Sequence, residues 1–117
     1  MSAETLQTLR DRLRIFAAER DWDQFHSPKN LAMALSVEAS ELLEAFQWLT
    51  EAQSRDLPPE TLAAVRDEAA DVLLYLIRIC DKLGIDPVEA AGDKMRRNAL
   101  KYPADKARGN SKKYTQL

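Results

Sequence analysis

Two acid pairs, Glu38-x-x-Glu41 in VEASELLEAF and Glu68-x-x-Asp71 in DEAADVLLYL, stand within stretches whose apolar residues are spaced for helix. Residues three apart share a helix face, so like charges are stacked where Leu42, Leu43 and Phe46 are core candidates. Positions 41 and 68 are equidistant from the point between residues 54 and 55, and so are positions 38 and 71. If the two helices fold back on one another, each rising about 1.5 Å per residue, the pairs meet at one height. A single E-x-x-E is commonly just a solvated face. Here, however, Asp71 is flanked by Ala69, Ala70, Val72, Leu73 and Leu74, which keep water away. Neighbouring carboxylates repel by about 4 kcal/mol per close pair at an effective dielectric near 20. The group must protonate in part or hold cations.

Hard divalent cations suit an all-oxygen site, which points to Mg²⁺, with Mn²⁺ as an alternative. Di-iron bundles use Glu-x-x-His motifs, and the one histidine, His26, falls in a connection. Iron is therefore not expected. Mg²⁺ sites chiefly handle phosphates.

The remaining sequence supplies helices to carry the acids, and strand signals are absent. Leu6, Leu9, Leu13 and Phe16 form an apolar stripe that predicts a first helix over about 3–20. Ser27-Pro28 is a capping residue followed by a first-turn proline, and it opens a second helix to about 53. DLPPE separates a third, about 59–83, with Gly84 as its stop. Asp86-Pro87 opens a fourth, to about 101, and Tyr102-Pro103 ends it. The expectation is one all-α domain over 1–117, a four-helix-type bundle with an irregular basic tail at 102–117.

Charge is unevenly spread. The net charge is −2, but residues 1–93 carry −9 and residues 94–117 carry +7. The basic segment either neutralises an acidic body, in this chain or a neighbour, or supplies charge to an anionic ligand. Tail binding to nucleic acid would need base-stacking aromatics among the cations; only Tyr102 and Tyr114 are there, so no nucleic-acid partner is expected. The longest apolar run, AADVLLYLIRIC, is too short for a membrane span and is broken by Asp71 and Arg78. The opening MSAETLQTLRDRL lacks a basic region followed by an apolar one, so no secretory signal is expected. Cys80, the single cysteine, excludes an internal disulfide and reads as a small core side chain. A cytoplasmic protein is predicted.

The blocks DWDQFHSPKNL, EASELLEAFQW, DEAADVLLYL, KMRRNALKYP and KYTQL, in that order, resemble the all-α nucleotide pyrophosphohydrolases of the MazG-like superfamily, in its dCTP pyrophosphatase branch. The resemblance covers about residues 8–117. It implies hydrolysis of a nucleoside triphosphate between its α- and β-phosphates, in the service of clearing nucleotide pools. It implies Mg²⁺ held by Glu38, Glu41, Glu68 and Asp71, with Glu38 or Glu41 as general base. It assigns Trp22, Trp48 and Tyr75 to the base and sugar, and matches His26 and Asn30 in the connection before the second helix. Lys94, Asn98 and Tyr102 match a fourth-helix motif, Lys94 facing phosphate. Trp48, two to three turns beyond the Glu pair on a continuous second helix, would border the base. Each aromatic can alternatively be core, and His26 a local hydrogen-bonding residue. Glu44 is a fifth acid outside the metal set. The resemblance also implies a homo-oligomer, a dimer of dimers with shared sites. Other or broad (d)NTP specificity is the alternative within the class, and a non-catalytic helical interaction module the alternative outside it.

Overall fold

The computed structural model describes residues 3–117, and they are helical, with no strand among the described residues. They divide into two compact units, the first ending at Gly84 and the second comprising Ile85–Leu117.

In the first unit, α1 spans Leu6–Glu19. Thr5 and Thr8 cap its start reciprocally, each hydroxyl accepting from the other's backbone N–H at 3.1 and 2.7 Å. The helix stops where Asp21 takes a positive φ of 54°, a left-handed turn that a short polar side chain tolerates. The Gln24 amide secures this turn, donating to the Asp21 carbonyl and carboxylate. A 3₁₀ turn, Asp23–Phe25, leads to α2, Pro28–Glu44, whose first turn Ser27 caps by accepting from Asn30 N–H at 3.1 Å.

The second helix is shorter than its apolar spacing predicts. It ends at Glu44 rather than near 53, and residues 45–48 form turns. The reason is local. Thr50 and Gln53 form a capping box, with Thr50 N–H donating to Gln53 Oε1 at 2.9 Å and Gln53 N–H to Thr50 Oγ1 at 3.2 Å. A capping residue needs extended backbone, and Thr50 sits at φ −74°, ψ 165°. A new short helix, α3 (Glu51–Ser54), therefore starts there, and the older one has to break.

Helix α4, Pro59–Lys82, follows the prolines and ends before Gly84, which takes a φ of 67°. It packs along α2 and against α1. The start of α2 lies beside the end of α4, since His26 meets Arg78, while Glu38 and Glu41 lie beside Glu68. The two helices are thus antiparallel, as the acid spacing requires. The buried apolar side chains here are Ala17 of α1, Leu31 of α2, and Ile77 and Cys80 of α4, and Cys80 is the small core residue expected.

The second unit holds α5, Pro87–Lys101, capped by Asp86, whose carboxylate accepts from Val88 and Glu89 N–H. The basic tail is irregular apart from two single turns, α6 (Ala104–Ala107) and a 3₁₀ turn at Tyr114–Gln116. The Tyr114 ring meets Tyr102 edge-on at 6.1 Å, and Lys101 Nζ lies 4.8 Å from its centroid.

Candidate metal and nucleotide site

The α2 residues Glu38 and Glu41 and the α4 residue Glu68 each bring a carboxylate oxygen within 4.8 Å of the others. Asp71, one turn beyond Glu68 and half-buried, stands outside this three-oxygen cluster, but its charge acts on both Glu38 and Glu68. The crowding acts on proton affinity. Burial, the contact with the Glu68 carboxyl and the Glu41 charge push the Glu38 pKa up to about 7. Glu68 is drawn down by its contact with Glu38, but burial and the charges of Glu41 and Asp71 leave it raised.

Glu38 Oε2 and Glu68 Oε2 are buried without a hydrogen-bond partner. A buried anionic oxygen left alone is costly, and cations or protons are what satisfy it. A set of oxygen donors alone, two of them orphaned, fits a hard divalent cation.

Beside the carboxylates lies an apolar cavity of about 230 Å³. Leu13 and Phe16 of α1 wall it, with Trp22 and His26 of the connection and Asp71 and Tyr75 of α4. Asp71 thus lines the cavity while its charge reaches Glu38 and Glu68. Trp22 is 44% exposed and stands edge-on to Phe16 at 5.7 Å and to His26 at 6.4 Å. Arg78 also lines the cavity; it is 5% exposed, its Nε donates to His26 Nδ1 at 3.2 Å and its Nη2 donates to Asp23 Oδ1 at 2.6 Å. Lys82 also bonds Asp23. Burial first, then the Arg78 and Lys82 charges, hold the His26 pKa below its ordinary value.

Other predicted site residues are placed differently. The Asn30 amide donates to the Phe25 carbonyl at 3.0 Å, so it secures the connection that carries His26. Trp48 is 87% exposed in the turn after α2. Because that helix ends at Glu44, a uniform helical rise from Glu41 to Trp48 does not apply, and the structure corrects that expectation. Glu44 is the exposed last residue of α2. In the second unit Lys94, Asn98 and Tyr102 recur every four residues along α5 and its cap, with Lys94 exposed and Tyr102 N–H bonded to the Asn98 carbonyl at 2.8 Å.

Leu13, Phe16 and Arg78 were not legible as site residues. The first two read as ordinary stripe positions. Arg78 registered only as a charge interrupting an apolar run, although its seven-residue offset from Asp71 puts both on one helix face.

The sequence pattern of the MazG-like family matches residues 33–117. The chain belongs to this family. This MazG-like chain is 44% identical over 115 residues to dCTP pyrophosphatase 1 of Mus musculus and to that of Homo sapiens, the alignment covering 97% of it and 68% of each relative. It is also similar to a pyrophosphatase of Archaeoglobus fulgidus seen in a crystal structure, with a TM-score of 0.81 and 40% identity over 88% of this chain and 96% of that one. No helix among the described residues is long and apolar enough to cross a membrane.

Proposed function

We propose that this chain is a Mg²⁺-dependent nucleoside triphosphate pyrophosphohydrolase that converts dCTP, or a modified dCTP, to the monophosphate and pyrophosphate. The observation that carries this reading is an apolar, aromatic-walled cavity lined by Asp71, whose charge also acts on Glu38 and Glu68 of the carboxylate cluster. One end can hold metal-bound phosphates and the other a flat base. The likeness to dCTP pyrophosphatase 1 supports the choice of nucleotide.

Glu38, Glu41, Glu68 and Asp71 would hold the metal, with Mn²⁺ as the substitute for Mg²⁺. When bound, the metal would neutralise phosphate charge and lower the pKa of an attacking water. Glu38 or Glu41 would accept the proton of the water that attacks the α-phosphorus. Trp22, Tyr75 and His26 receive the base and sugar, Asn30 steadies the segment that carries His26, and Trp48 borders the site from its exposed turn. Lys94, Asn98 and Tyr102 of the fourth-helix motif bind the substrate, Lys94 facing phosphate.

The family match runs unbroken from residue 33 to 117, which supports treating both units as a single pyrophosphohydrolase domain over 1–117. A dimer of dimers with shared sites is part of this reading; the exposure of Met33, Val37, Leu43, Leu73 and Leu76 in the first unit supports burial of these faces against another copy. A cytoplasmic location belongs to the same reading. A nucleotide panel with Mg²⁺, resolved into monophosphate plus pyrophosphate against diphosphate plus phosphate, tests the function. Release of orthophosphate from every nucleotide, or no turnover at all, would reject it.

A further inference from the structure

Arg78 is the one charged side chain buried among the described residues, and its partners account for its orientation. Asp23 accepts from Nη2 at 2.6 Å, Asp81 Oδ2 lies 3.6 Å from Nη1, and Nε donates to His26 Nδ1 at 3.2 Å. A guanidinium has donors and no acceptor, so the imidazole nitrogen it faces must present a lone pair. A proton on Nδ1 would set donor against donor, beside a buried cation. The proton of the ring therefore sits on Nε2, and the ring is the neutral tautomer.

We infer that Arg78 is a positioning residue for the substrate base: braced by Asp23, it fixes His26 as the Nε2–H tautomer, so the cavity wall offers a hydrogen-bond donor to an acceptor on the base. The inference rests on the nucleotide reading above and adds to it the chemistry of one contact. A cytosine-type ring presents N3 and O2 as adjacent acceptors, which such a donor suits. A uracil-type ring carries a donor at N3, between its two carbonyls. The surroundings agree with a neutral ring: Arg78 and Lys82 are the cations nearby, Asp23 is bonded to both, and Asp71 is the acid on the cavity wall. Burial and the two cations lower the proton affinity of His26, against the opposing charge of Asp23.

His26 is the only histidine, so the nitrogen spectrum of its ring can be read in the intact ¹⁵N-labelled protein without assignment. In wild type without nucleotide, the signals should show a protonated Nε2 and a bare Nδ1 at neutral pH. Arg78→Met should mix the tautomers and raise the KM for dCTP about tenfold, the scale of one lost hydrogen bond, with a smaller change in kcat. Should Arg78→Met fold poorly, Asp23→Asn alters a side chain that is 61% exposed and loosens Arg78 without removing its N–H groups. It should give the same changes in smaller measure. An Nδ1–H tautomer in wild type overturns the inference even in an enzyme that cleaves dCTP. So does an unchanged KM in a folded variant whose tautomers have mixed. Absence of nucleotide cleavage by wild type instead rejects the functional reading, and the tautomer signals, which need no nucleotide, keep the two failures apart.

Discussion

Glu38 on α2 and Glu68 on α4 face each other across the helix pair, each burying a carboxylate oxygen that no hydrogen-bond donor reaches. Two such oxygens side by side make the apo protein store repulsion that protons or cations relieve.

That repulsion should be visible as a pH-dependent stability. The Glu38 carboxyl titrates at about 7 in the fold, so the folded protein binds this proton more tightly than the unfolded chain does. The corresponding stabilisation is fully present below the ordinary glutamate range and is lost as pH rises through about 7. Glu68 is shifted in the same direction. Asp23, lowered chiefly by its bond from Lys82, and Asp81, lowered chiefly by its bond from Arg14, act oppositely. They do so in wild type and variant alike. With chelator present, the Tm of Glu38→Gln should therefore exceed that of wild type by a margin that grows between about pH 5 and about pH 8. Added Mg²⁺ should raise the wild-type Tm and leave the variant nearly unchanged. A margin independent of pH would show that Glu38 is not held in this way.

Glu41→Gln and Asp71→Asn should each abolish turnover while the fold is kept, because each removes a charged ligand without changing volume. Circular dichroism and a nucleotide assay check this together. Near wild-type activity in either variant would remove that residue from the metal set.

Hydrolysis in ¹⁸O-water should place the label in the nucleoside monophosphate, since the proposed attack is on the α-phosphorus. Label confined to pyrophosphate would mean attack on the β-phosphorus instead.

Trp22→Ala should raise the KM for dCTP about tenfold, in keeping with the 1–3 kcal/mol that stacking a base on an aromatic contributes. Trp48→Ala should also raise KM, yet leave Tm within about 1 °C of wild type, because surface substitutions cost little and this ring is 87% exposed. An unchanged KM in both folded variants would return the two tryptophans to a purely structural role.

Ser27→Ala should destabilise the protein by about 1 kcal/mol, the usual cost of an N-cap. It should also raise KM, because the same turn carries His26 and Asn30. Loss of stability with kinetics untouched would separate the cap from the site.

The sequence by itself determined the starts of α2, α4 and α5. Ser27-Pro28 and Asp86-Pro87 act through bonds to the next few residues, and such local chemistry is complete within a short window. The break after Glu44 was legible too, in the Thr50-x-x-Gln53 box, but the apolar spacing that runs across it masked the signal. The pairing of Glu38 and Glu41 with Glu68 followed from helical rise and a short connection, since antiparallel helices conserve distance along the axis. What only the tertiary structure decided is which side chains leave water together. Periodicity gives a helix a buried side, but it does not say that Phe16 and Leu13 wall a cavity with Asp71, or that Asn30 turns back to Phe25. Arg78 makes the point most directly. An arginine in an apolar run is neither ligand nor core by pattern. Its partners, Asp23 and His26, are more than fifty residues away in the chain, and only packing α4 against the connection supplies the acceptors that allow a guanidinium to be buried.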